Sequence, residues 1–110
     1  MTEDEFDKLL LSALDEGLFT LGDSSRQAVM FYVETVFHLK EEKIPANLTE
    51  FKKALELIFG PGAAYLEKIM VQKLQRKLGI PVDENDALDL LKCAEIAKAR
   101  IVQAGEVTTK

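Results

Sequence analysis

Residues 59–64 read Phe59-Gly60-Pro61-Gly62-Ala63-Ala64, and this block decides the fold. Glycine tolerates the left-handed backbone that ends a helix, and proline suits the first helical position because its missing N–H would find no partner there. One amphipathic helix therefore stops and another starts within about two residues. Upstream, Phe51, Ala54, Leu55, Ile58 and Phe59 recur at helical spacing behind Asn47, a cap with Glu50 at the third position. Downstream, Leu66, Ile69, Met70 and Leu74 carry the pattern from Pro61 to Leu78, where Gly79 and then Pro81 close it.

The same periodicity extends outward in both directions. Thr2 and Glu5 have capping-box spacing ahead of Phe6, Leu9, Leu10, Ala13 and Leu14, which predicts a first helix ending near Glu16, at Gly17. Leu18-Phe19-Thr20-Leu21-Gly22 then reads as a linker that packs on the core through its large apolar residues. A second helix is expected from Asp23 or Ser24 to about Lys40, with Ser24 and Gln27 again at capping-box spacing. Its residues Ala28, Val29, Met30, Phe31, Tyr32, Val33, Val36, Phe37 and Leu39 surround most of the axis. A helix apolar all round is either central to a bundle or shared with a partner, and both readings stay open for residues 24–40. After the loop Lys43-Ile44-Pro45-Ala46 come the two helices of the corner. A last helix is expected over about 83–104, capped by Asp83 with Asp86 at the third position. It buries Ala87, Leu90, Leu91, Ala94, Ala97 and Ile101, ends at Ala104-Gly105, and leaves Glu106 to Lys110 frayed. The fold class is all-α, a compact bundle of about five helices with short loops, forming a single domain over 1–110.

Composition narrows the functional classes. A chain of 110 residues buries roughly 65% of its unfolded surface and needs no metal or disulfide staple. The lone Cys93 excludes an intramolecular disulfide and fits a reducing, cytoplasmic setting. No apolar run approaches the ~20 residues of a membrane span, and the acidic start lacks the basic region of a secretory signal. Fourteen basic and nineteen acidic side chains give a net charge of −5. Acids dominate the first 22 residues, where Glu3, Asp4, Glu5, Asp7, Asp15 and Glu16 face Lys8 alone, whereas Lys40 to Pro81 is net basic. A sequence pI of 4.9 without a dense basic stripe argues against nucleic-acid binding.

Several residues invite chemistry. The N–H groups of Gly62, Ala63 and Ala64 could meet an anion at the positive end of the helix, assisted by Lys68 and by the basic face Lys73, Arg76 and Lys77. The spacing fits neither a phosphate-cradling loop nor a dinucleotide fingerprint, and a packing corner explains the small residues. The basic face itself reads as a solvated surface, or as a partner for an acidic segment of a neighbouring molecule. His38, the sole histidine, has Glu34, Glu41 and Glu42 nearby but no Ser-His-Asp pattern. Cys93 falls about 70° off the centre of its helix's apolar stripe, as a half-buried small hydrophobe would. Asp83, Glu84, Asp86 and Asp89 lack calcium-loop spacing, because the sixth and twelfth positions are Leu88 and Ala94. No catalytic, cofactor-binding or metal-ligating residues are assigned. The surplus of large side chains on helix two and on Tyr65, Leu66, Ile69 and Met70 points to self-association, as a dimer, or to another protein partner.

The order Asp15-Glu16-Gly17-Leu18, Leu21-Gly22, Ile44-Pro45, Phe51, Phe59-Gly60-Pro61-Gly62-Ala63, Leu66-Glu67 and Leu78-Gly79 resembles an archaeal helical domain, the Nitrosopumilus output-domain group of signal-transduction proteins. The resemblance covers about 9–81 and leaves out the last helix. It rests on glycine corners and core positions, so it implies an interaction domain and transfers no active site. These residues hold no receiver or kinase pattern, so it implies signalling through a separate partner. The reading is a non-enzymatic interaction or regulatory module that self-associates. The alternative is an anion- or nucleotide-binding domain at Gly60-Pro61-Gly62.

Overall fold

Thr2 Oγ1 accepts a hydrogen bond from the Glu5 N–H at 3.1 Å, and Glu5 Oε1 accepts one from the Thr2 N–H at 3.2 Å. This reciprocal cap starts α1 (Glu3–Phe19) in the computed structural model, which describes residues 2–79 and 90–108. The chain continues through α2 (Asp23–Phe37), a 3-10 segment (Glu41–Asn47), α3 (Leu48–Phe59), α4 (Gly62–Leu78) and α5 (Leu90–Thr108). The fold is an all-α bundle, and none of the described helices is long and apolar enough to cross a membrane.

The bundle is organised around α1 and α4, its most extensively packed pair. Leu10, Ala13, Leu14 and Leu18 from α1 meet Ala63, Leu66, Met70 and Leu74 from α4 in one core. Phe51, Ala54 and Leu55 of α3 join it, as do Leu90, Cys93 and Ala94 of α5, while Phe6 and Ala97 are buried beside it. Gly17 does not end α1, contrary to the sequence expectation, but lies buried within its last turn. A Cβ placed there would lie 2.5 Å from Met70 Cγ, so the glycine is present for the helix crossing. The expected linker is accordingly the end of α1, and of its large residues only Leu18 is buried; Phe19 and Leu21 are exposed.

Helix α2 is not the centre of the bundle. It packs on α1 and α3, and only Val29 and Val33 are buried along its length. Its start differs too: Gly22, at φ 102°, occupies the cap position, while Asp23 accepts from Gln27 and Arg26. Arg26 also reaches Asp15 at 2.9 Å, which ties α2 to α1. The helix stops at Phe37, short of Lys40, because His38 takes the left-handed conformation at φ 54°. Leu39 and Ile44 then turn inward, and the expected loop around Pro45 is instead the 3-10 segment, anchored by the fully buried Ile44. Asn47 precedes α3 as expected, but its side-chain amide donates to the Lys43 carbonyl and caps no α3 N–H.

Gly60 and Gly79 end α3 and α4 as the sequence predicts. The α5 backbone passes Gly105 and stays helical to Thr108, beyond the expected stop and into the expected frayed tail. An interior glycine weakens a helix by about 1 kcal/mol without forbidding it. Pro81, the Asp83 cap, Ala87, the carboxylates of Asp83, Glu84, Asp86 and Asp89, and the side chain of Ile101 lie outside the described residues.

Candidate functional site

The outward surface of α2 is the least explained by the fold. With Val29 and Val33 turned inward, a 3.6-residue period carries Ser24, Ala28, Phe31 and Thr35 to the opposite side, flanked by Ser25 and Tyr32. Phe31 is 69% exposed and Val36 is 52% exposed, while Tyr32 is half-buried and stands with its ring centroid 6.1 Å from that of Phe37. No side chain in this group carries a charge. The nearest charge along the other flank is Glu34, beyond Gln27, and Arg26 is drawn away to Asp15 and Asp23. Thr35 Oγ1 donates to the Phe31 carbonyl at 2.7 Å, so its hydroxyl is satisfied within the helix and presents little unmet polarity.

The structure separates the group that pointed to association. Leu66 and Met70 are buried, Ile69 is half-buried, and only Tyr65, at 72% exposure, stands outside. The apolar excess therefore resides on α2 rather than on α4.

The Gly60-Pro61-Gly62 corner is a backbone turn. Gly60 has φ 56° and ψ −129°, its N–H donates to the Glu56 carbonyl at 2.8 Å, and its own carbonyl accepts from the Ala63 N–H at 3.1 Å. A Cβ on Gly62 would make only an ordinary 3.8 Å contact with Phe59, so the position does not demand glycine. On the basic face of α4, Lys77 pairs with Glu16 of α1, which also accepts from Ser12 Oγ at 3.3 Å. These contacts, led by the Lys77 hydrogen bond, hold the Glu16 carboxyl below its ordinary pKa. Two acids of the first helix are thus answered by later lysines: Lys77 pairs with Glu16, and Lys98 of α5 with Glu3 at 2.6 Å. Lys68 and Arg76 remain exposed and Lys73 half-buried.

The two candidate reactive side chains are not joined. His38 caps α2 at the surface, whereas the Cys93 thiol lies in the core at 6% exposure, more deeply buried than its stripe angle implied. Among the described residues no group of three His, Cys, Asp or Glu side chains is arranged to hold a metal ion. An open groove of about 420 Å³ lies among α1, α5 and the junction of the 3-10 segment with α3, lined by Phe6, Leu10, Pro45, Leu48 and Ala94 together with the charged Asp7 and Lys98.

Two buried polar residues escaped the sequence reading. Glu67, at 6% exposure, lies 3.8 Å from Lys52 Nζ, and Gln75 is buried eight residues further along α4. Ala63, Glu67, Val71 and Gln75 form one i, i+4 row, a spacing that identifies them in retrospect as a common packed face. No protein-family model matches the chain, and no curated protein or solved structure shows significant similarity to it.

Proposed function

We propose that the protein is a non-enzymatic interaction module, regulatory in the manner of a signalling output domain, that docks through the outward face of α2. One observation carries this reading: the outward stripe of uncharged side chains Ser24, Ala28, Phe31 and Thr35 on α2 is left uncovered, with Phe31 exposed at its middle while Phe6 and Phe51 are buried in the bundle. Aromatic residues on a charge-poor patch are the usual anchors of protein interfaces. Burying Phe31 alone is worth about 2 kcal/mol of transfer free energy. The separation of His38 from Cys93 supports a binding role over catalysis, and the resemblance over 9–81 to output domains adds the signalling context.

A photo-crosslinking phenylalanine analogue at position 31, with a second at the exposed Leu57 of α3 as control, tests the reading in cells. Adducts from position 31 that are absent from position 57 are expected. Equal yields from the two positions, or none from position 31, would refute it.

A further inference from the structure

We propose that the groove among α1, α5 and the junction of the 3-10 segment with α3 binds a small organic cation, an ammonium group carried on an apolar chain; this goes beyond the interaction reading and does not depend on it. Volume and lining set the size and body of the ligand. At about 420 Å³ the groove falls within the ~300–1,000 Å³ of small-molecule sites. Its apolar wall joins Phe6 and Leu10 of α1, Pro45 of the 3-10 segment, Leu48 of α3, and Leu91 and Ala94 of α5. Pro45, Leu48 and Leu91 are only half-buried, so part of this wall is apolar surface that a ligand takes out of water. Helix α1 supplies about one turn of lining, Phe6 to Leu10, and α5 about two, Leu91 to Lys98, a length of about 10 Å. That receives one short chain. A docked helix needs about 10 Å for its i, i+4 and i+7 anchors before its flanking turns are accommodated.

Charge fixes the head group. The charged lining is Asp7, Glu95 and Lys98. Lys98 is already engaged: it pairs with Glu3 at 2.6 Å and senses Asp7 through space. Asp7 stands apart from the other acids of α1. Glu3 pairs with Lys98, Asp4 with Lys8, Glu5 with Thr2, Asp15 with Arg26 and Glu16 with Lys77. Asp7, though half-buried, has no hydrogen bond or ion pair among the described residues, and neither has the exposed Glu95. With Glu3 counted, three carboxylates answer one ammonium at this groove, an excess that a second cation relieves and an anion aggravates. The apolar wall beside Asp7 lets such a charge be screened less than on open surface. An inorganic cation would leave the wall wet, and a neutral apolar compound would face the Asp7 carboxylate without pairing it. A cation with an apolar body answers both.

Amide NMR titrations of the full chain with n-octylammonium, and with octanoate and ammonium chloride as controls at matched ionic strength, test the site. Octylammonium is expected to shift the amides of Phe6 to Leu10 and of Leu91 to Lys98 saturably, and ammonium chloride to leave them in place. Octanoate, with the same chain and the opposite charge, should bind at least about tenfold more weakly. Asp7→Asn and Glu95→Gln should each weaken octylammonium about threefold, and together roughly tenfold, as partly exposed charge pairs do. Both variants should keep the wild-type thermal transition, since neither carboxylate has a partner to lose; if Asp7→Asn fails to fold, Glu95→Gln at its exposed position carries the test. Octanoate bound as tightly as octylammonium, an octylammonium affinity that Glu95→Gln leaves unchanged, or no saturable shift at these amides would each overturn the proposal. Shifts confined to the surroundings of Phe31 on α2 would show adhesion of the alkyl chain to an exposed aromatic residue and would overturn it as well.

Discussion

Gly17 of α1 and Met70 of α4 are in contact without a side chain between them, and a Cβ at Gly17 would come within 2.5 Å of Met70 Cγ. Met70 is fully buried, so it has little room to withdraw. Gly17→Ala gains up to about 1 kcal/mol of helix propensity but overpacks the crossing by about 1–3 kcal/mol. The expected result is a net loss of about 1 kcal/mol, a fall in Tm of roughly 4 °C. In a Met70→Ala background the obstruction is gone, and the same Gly17→Ala change should be neutral or stabilising. Additive losses in a double-mutant cycle would show that the two residues do not meet.

The corner between α3 and α4 assigns its glycines different duties. Gly60 sits at φ 56° and ψ −129°, where any Cβ is strained, while a Cβ on Gly62 at the start of α4 would meet only Phe59, at an ordinary 3.8 Å. Gly60→Ala should therefore lower stability by about 1–2 kcal/mol, and Gly62→Ala should be neutral or slightly stabilising. Chemical denaturation of the two variants checks this, and a Gly62 variant as damaged as Gly60→Ala would reverse the assignment.

Element type was legible because caps and 3.6-residue stripes are local signals, and the Thr2–Glu5 box, the Gly60 stop and the Gly79 stop all occupy the places they mark. What was not legible depends on partners distant along the chain. Gly17 has the local look of a helix stop, and only the crossing with Met70 explains a glycine held inside the helix. The Ser24–Gln27 spacing is that of a cap, yet Asp23 competes successfully for both Gln27 and Arg26. The apolar surplus of α2 was visible in composition. Periodicity could not say which side was covered, since a helix apolar all round offers several equivalent faces, and packing on α1 and α3 made the choice.

Lys52 and Glu67 form the most buried ion pair among the described residues, at 3.8 Å between α3 and α4. Removing the cation takes the Lys52 charge away from a carboxylate that is 6% exposed, so Lys52→Met should lose about 2 kcal/mol or more. Lys52→Met with Glu67→Leu removes both charges and should recover most of that loss. Urea unfolding of the single and double variants measures the coupling, and a double variant as unstable as Lys52→Met alone would contradict it.

The Glu16–Lys77 contact between α1 and α4 supplies a pH dependence of definite sign. The Lys77 hydrogen bond, opposed by partial burial and helped by the charges of Lys77 and Lys73 and by Ser12, lowers the Glu16 pKa from its ordinary 4.5. A carboxyl whose folded pKa lies below its unfolded value contributes stability that is complete above the unfolded value and is lost as pH falls through the folded one. Lys77→Met should thus destabilise the protein at pH 7, by no more than about 1 kcal/mol for a pair this exposed, and the difference from wild type should vanish once Glu16 is protonated. The Lys98–Glu3 contact is followed from its cation, at the alkaline end. Glu3, chiefly through its hydrogen bond, raises the Lys98 pKa from 10.5, so that contribution is complete below 10.5 and disappears as pH rises through the folded value. In urea titrations Lys77→Met should converge with wild type as pH falls through the folded Glu16 value, and Lys98→Met as pH rises through the folded Lys98 value. A Lys77→Met difference that persists in acid, or a Lys98→Met difference that persists in strong alkali, would mean that the corresponding ion pair is not its source.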